Sequence, residues 1–161
     1  MSVNKYKPHV WVIPEDDANR QLADGFLRHH AVKERAAQVR APAGGWMKVV
    51  EVFQIEYLPH LRNFPAAHVV MLADFDGAAD RRTQIELAIP VDVRTRVFLL
   101  GTHDEPEVLR SDLRISLEQI GEALASECDL GAFEKWNHPQ LSHNNQEVQR
   151  MIQIVKPILF L

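Results

Sequence analysis

One stretch constrains this chain more than any other. His68-Val69-Val70-Met71-Leu72-Ala73 is almost wholly apolar, and it runs straight into Asp74-Phe75-Asp76-Gly77. A short apolar run rich in β-branched residues suits a strand buried on both faces, as strands of parallel sheets are. Two further runs have the same character, His9-Val10-Trp11-Val12-Ile13 and Arg96-Val97-Phe98-Leu99-Leu100-Gly101. Longer periodic stretches separate them, and that alternation predicts βαβ units around a parallel sheet.

The intervening segments have helical periodicity. Residues 17–35 carry Ala18, Leu22 and Phe26 at spacings of four. Residues 47–62 are rich in β-branched side chains but too long for one strand, and Met47, Val50, Leu58 and Leu61 share a helical face. Shorter helices are expected over residues 80–88 and from Pro106. Ser116 and Gln119 have capping-box spacing, which predicts a helix over residues 117–127. Asn144 and Glu147 suggest a cap for a last helix that reaches Lys156 and stops at Pro157. A short strand is expected over residues 37–41, followed by a turn at Pro42-Ala43-Gly44-Gly45. The predicted architecture is a three-layer α/β/α domain with a mainly parallel four-stranded sheet. Its core spans about residues 9–127, with a C-terminal helical extension over about residues 137–161. At 161 residues the chain suits one such domain.

Composition narrows the setting. A net charge of −4 does not provide the basic surface that grips a nucleic-acid backbone without specificity. The single cysteine, Cys128, allows no disulfide within the chain. There is no apolar signal core near Met1 and no run of the ~20 apolar residues a membrane span requires. These features predict a cytoplasmic protein with no membrane partner.

Right-handed crossovers send the carboxyl ends of parallel strands to one edge of the sheet, where ligands of open α/β folds bind. Three predicted strands end in acids: Glu15-Asp16-Asp17, Asp74 with Asp76, and Asp104-Glu105 with Glu107. Carboxylates brought together repel and raise one another's pKa unless a cation neutralises them. Mg²⁺ prefers such oxygen ligands, and Mn²⁺ can take the same donor set. Asp74, Asp76 and Glu15 are the candidate metal ligands. Lys48, Arg81 and Arg82 are candidates for contact with a phosphate. Gly44-Gly45, before a predicted helix, has backbone N–H groups that could cradle a phosphate, although a plain turn explains it too. His138, His143 and Cys128 lack the spacing and the fourth ligand of a zinc site. Ile158-Leu159-Phe160-Leu161 is too apolar to stay in water and is expected to dock on the core, on a protein partner or on a second copy.

With Glu15 after the first strand and Asp74-Phe75-Asp76 after the third, residues 10–101 resemble the Toprim family, which includes catalytic domains of topoisomerases and primases and a group of nucleases. The resemblance implies that Asp74 and Asp76 bind Mg²⁺ and that Glu15 joins them or acts as general acid and base. The implied activity is metal-dependent phosphodiester chemistry on nucleic acid, nuclease-like, alone or as a subunit of a larger system. Where that family usually has Glu-Gly, this chain has Glu15-Asp16. Glu15-Asp16-Asp17-Ala18-Asn19 also resembles the start of a response-regulator receiver domain. That second resemblance implies Mg²⁺ at Asp16 and Asp17, phosphate on Asp74 and a switch hydroxyl at Thr102. A receiver also needs a lysine, for which Lys135 and Lys156 are the candidates. A third reading is an interaction domain that keeps the fold without catalysis.

Overall fold

The computed structural model describes residues 2–161. Four parallel strands, β1 (His9–Pro14), β2 (Ala37–Val39), β3 (Ala67–Leu72) and β4 (Val97–Leu100), form one sheet in the order β2-β1-β3-β4. Between β1 and β2 lies α1 (Asp17–Leu27). Between β2 and β3, α2 (Trp46–Val52) passes through a π-helical turn (Phe53–Tyr57) into α3 (Leu58–Asn63). The π turn lies just before Pro59, which lacks the N–H a regular ladder would need. The chain then adds α4 (Ala79–Leu87), α5 (Pro106–Leu113), α6 (Leu117–Leu130), α7 (Asn145–Ile154) and α8 (Lys156–Leu159).

Strand alternation sorts the core into two layers. Val10, Val12, Val70, Phe98 and Leu100 face α1, α6, α7 and α8. Ile13, Val69, Met71, Val97 and Leu99 face α2, α3 and α4. Each fully buried side chain of this size contributes on the order of 2 kcal/mol. The result is the three-layer α/β/α arrangement with all four strands parallel.

Gly25 and Gly121 let α1 and α6 cross with their backbones in contact. A Cβ on Gly25 would lie 2.0 Å from the Glu118 carbonyl oxygen, and one on Gly121 would lie 2.0 Å from that of Leu22. Gly25 therefore belongs inside its helix for packing, despite its poor helix propensity.

Three boundaries differ from expectation. Helix α1 ends at Leu27 rather than at residue 35, because the following chain turns back and Val32 bridges to Phe160. Asn144 stands at the N-cap position of α7, as expected, but its side chain makes no capping bond there, and neither does that of Glu147. They bond instead to the open edge of β4: Asn144 Oδ1 accepts from Gly101 N at 3.2 Å, its Nδ2 donates to Gly101 O at 2.8 Å, and Glu147 Oε2 accepts from Leu99 N at 3.0 Å. Arg150 Nη2 donates to Val97 O at 2.6 Å. These side chains occupy the place of a fifth strand, one way to satisfy an otherwise unpaired edge. Pro157 does not stop the helical segment either; it sits in the first turn of α8, where its missing N–H costs nothing. Of the last four residues, Leu159 and Phe160 are buried in the core and Leu161 is exposed.

No helix among the described residues is long and apolar enough to cross a membrane.

Candidate functional site

The chain runs from β1 outward to β2 and then returns to β3 on the other side of β1. The crevice between the carboxyl ends of β1 and β3 is therefore the switch point of the sheet. Glu15 leaves β1 and Asp74 follows β3 at that crevice. Glu15 N still donates to Leu72 O at 2.9 Å, which continues the ladder one residue past the strand. Its Oε2 accepts from Asp74 N at 2.5 Å.

Asp16 is the N-cap of α1. Its Oδ1 accepts from Asn19 N and from Asn19 Nδ2, both at 2.9 Å. The same Nδ2 donates to Asp74 Oδ1 at 2.9 Å. Thr102, just past β4, donates its hydroxyl to Asp74 Oδ1 at 3.3 Å. One amide thus links two carboxylates, and a hydroxyl supports the second.

Burial pushes the Asp74 carboxyl up to about 7; the Asn19 bond opposes that rise, and the negative charges of Asp16 and Glu15 add to it. Glu15 is also raised above the usual carboxylate range. Burial is the main cause, the Asp74 N–H opposes it, Asp16 and Asp76 add to it, and Arg81 counters it. In both cases removal from water disfavours the charged form.

Asp76 takes a different course. Its backbone is left-handed (φ 48°), and its carboxylate bonds Arg81 Nη1 at 3.1 Å. The same Nη1 donates to Asp74 O at 2.7 Å, and the guanidinium lies 5.2 Å from the centre of the Trp46 ring.

Glu15, Asp16 and Asp74 are joined through direct bonds and through Asn19, with Arg81 and Asp76 beside them. The other candidates are engaged elsewhere. Asp17 is exposed and paired with Arg20 at 2.6 Å. Lys48 pairs with Glu51 at 3.4 Å. Arg82 bonds Glu86 and Leu99 O, and its guanidinium lies over Phe75. Asp104 accepts from Gln140 Nε2 at 2.7 Å, and Glu105 and Glu107 stand at the start of α5. Lys156 Nζ donates to Asp129 O. The Gly44-Gly45 cradle is spent as well, because both N–H groups donate to Glu15 O, at 2.8 and 3.3 Å. Their φ values of 98° and 141° explain why glycine stands at both positions. His138 bonds Asp112, His143 packs edge-on to Phe75, and burial pushes the Cys128 thiol up to about 12.

Sequence reasoning did not single out Asn19 as a site residue. A usable signal existed: a polar side chain on the helical stripe that also carries Leu22, Ala23 and Phe26. Asn19 is buried, and a buried amide on an apolar face needs partners. The Trp46–Arg81 stack had no local signal, since 35 residues separate the two positions.

The donor set is all oxygen and suits a hard cation such as Mg²⁺. Its present arrangement is not a finished metal cage. Among the described residues, no three His, Cys, Asp or Glu side chains form a group that could hold an ion. No family model matches the chain, and neither does any curated protein or solved structure.

Proposed function

We propose that the switch-point crevice carries out Mg²⁺-dependent phosphodiester chemistry on nucleic acid, with Asp74, Asp76 and Glu15 as ligands and Mn²⁺ as an alternative ion. The observation that carries this reading is the burial of Asp74 against Glu15 and Asp16. Stability alone would not favour a carboxyl held near neutrality among other acids, and such perturbed groups concentrate at functional sites. When bound, the ion supplies charge stabilisation for the phosphodiester and orients the attacking oxygen. The chain's own residues have distinct parts. Asn19 and Thr102 fix the Asp74 carboxyl. Glu15, whose proton affinity burial raises and whose Oε2 accepts from Asp74 N, is the group placed to exchange a proton. Arg81 carries the positive charge that meets a phosphate.

Calorimetric titration of Mg²⁺ and Mn²⁺ into the wild type and Asp74→Ala tests the reading, with nucleic-acid cleavage assayed alongside. Binding that vanishes in the variant, together with cleavage by the wild type, is the expected result. No binding to the wild type would overturn it and favour the silent interaction domain.

A phosphoacceptor reading draws on the Asp16–Asn19–Asp74–Thr102 chain of bonds. Incubation with acetyl phosphate separates it: that reading requires a phosphorylated Asp74, and the nuclease-like reading requires an unmodified one.

A further inference from the structure

The layer between the sheet and α1, α6, α7 and α8 is not completely filled. It encloses a cavity of about 110 Å³. The cavity touches both Val10 and Val12 of β1 and both Val70 and Leu72 of β3, so it extends along the strands. Its wall is almost wholly apolar. The nitrogen and oxygen groups of the side chains that reach it are spent within the protein. Asn19 and Thr102 bond Asp74, Asn144 bonds Gly101, Trp136 Nε1 donates to Leu124 O, and Lys156 Nζ donates to Asp129 O. Water has few partners in such a space, and apolar cavities of this kind stay dry and accept apolar guests.

A second hollow, of about 200 Å³, adjoins the first: Leu27 and Ala37, both half-buried, line the two of them. Its chemistry is opposite, because Lys33, Glu34 and Arg35 also form its wall. Lys33 Nζ donates to Pro157 O and Arg35 Nε to Ser2 O, each at 3.1 Å. Among the described residues, neither cation is in an ion pair. With two cations against one acid, the hollow is net positive.

We propose that the two spaces form one binding site for a medium-chain carboxylate. The aliphatic tail lies in the cavity, the chain passes Leu27 and Ala37, and the carboxylate meets Lys33 and Arg35. An apolar cavity of about 150 Å³ holds benzene, so this smaller one suits a tail of roughly six carbons, and the whole ligand has about eight. The site stands apart from the acidic crevice and does not depend on its chemistry.

The experiment is a calorimetric titration of hexanoate, octanoate and decanoate, each below its micelle concentration, with octylammonium and octan-1-ol as controls. The proteins are the wild type, the double variant Lys33→Gln with Arg35→Gln, and Ala23→Leu, which fills the cavity from α1. Circular dichroism checks that each is folded. Affinity should rise about fourfold per added methylene from hexanoate to octanoate and then level off once the cavity is full. Octylammonium should bind about tenfold more weakly than octanoate, and the double variant should lose about tenfold for octanoate while keeping its affinity for octan-1-ol. Ala23→Leu should remain folded and lose the gain with chain length. Should that variant not fold, methyl NMR of the wild type decides the same point, with shifts on adding octanoate expected at Val148 and Leu124 of the cavity wall. No binding of octanoate to the wild type would overturn the site. Equal affinity for octanoate and octylammonium, or an unchanged double variant, would overturn the carboxylate position. Unchanged binding to a folded Ala23→Leu, or unmoved wall methyls, would overturn the tail position.

Discussion

The two ends of the sheet bury opposite chemistry. At the carboxyl end lie Glu15, Asp16 and Asp74, tied by Asn19 and Thr102. At the amino end lie His9 and His68, the first residue of β1 and the second of β3, with His60 of α3 packed against His9. His9 is fully buried; its Nδ1 bonds Lys7 O, and its Nε2 lies 2.8 Å from His60 Nε2. Desolvation acts on both ends and in both disfavours the charged form. It raises Asp74 and Glu15 and lowers His60 and His68. The difference lies in what a partner could do. His9 and His60 satisfy each other, one ring nitrogen donating where the other accepts, and His68 Nδ1 bonds Ala66 O. The acids sit in a crevice with negative neighbours, and a proton on Asp74, the Asn19 bond and the charge of Arg81 relieve them.

The contrast makes opposing pH dependences. Asp74 holds a proton more tightly folded than unfolded, so its contribution is full below about pH 4 and is lost as pH rises through about 7. His60 and His68 hold protons less tightly folded, so their contribution is present above about pH 6.5 and is lost as pH falls through their depressed folded values. The largest expected effect follows from removing the acid. Asp74→Asn should stabilise the protein at pH 8, by about 4 kcal/mol without screening and on the order of 2 kcal/mol once solvent at the crevice is allowed for. The gain should shrink toward pH 5. Urea melts at the two pH values check this, and a loss of stability at pH 8 would end the idea that Asp74 is held under electrostatic stress.

Next comes the imidazole end. His60→Ala leaves His9 Nε2 buried without its partner and should cost about 1–2 kcal/mol at pH 8. It should also reduce the loss of stability on acidification, as melting temperatures between pH 8 and pH 5 would show. An unchanged acid slope would mean that His60 takes no part in it.

Asp16→Ala should cost about 1 kcal/mol through the lost helix cap. It should also lower the Asp74 pKa by removing a negative neighbour, which carbon-detected NMR titration of the carboxyl reads directly. The smallest effect is expected at Asp17, whose exposed carboxylate is paired with Arg20 on the surface. Asp17→Ala should leave Mg²⁺ binding unchanged in calorimetry. Loss of binding there would move the site toward the receiver-like arrangement.

Much of this molecule was open to reading along the chain. Apolar runs of strand length, each followed by a helical period, dictate a parallel sheet. The parallel sheet then dictates that Glu15 and Asp74 emerge on the same edge, because all its strands run in one direction. The Ser116–Gln119 capping box was equally local and is present as expected. Local patterns carry such features because propensity, alternation and capping act within a few residues.

Only the tertiary structure decided the rest. Periodicity alone could not end α1 at Leu27, since the stop comes from the pairing of Val32 with Phe160, 128 positions away. Asn144 and Glu147 look like a cap in sequence and serve instead to satisfy the edge of β4, because an unpaired strand makes a stronger demand on their hydrogen bonds than a solvated helix end. Asp74 and Asp76 look equivalent in Asp-Phe-Asp. Burial and Asn19 draw one into the acidic group, and Arg81, braced on Trp46, draws the other out of it. Sequence determined which charges reach the edge. Packing determined how each is neutralised there, since hydrogen-bond partners and desolvation are properties of neighbours brought together by the fold.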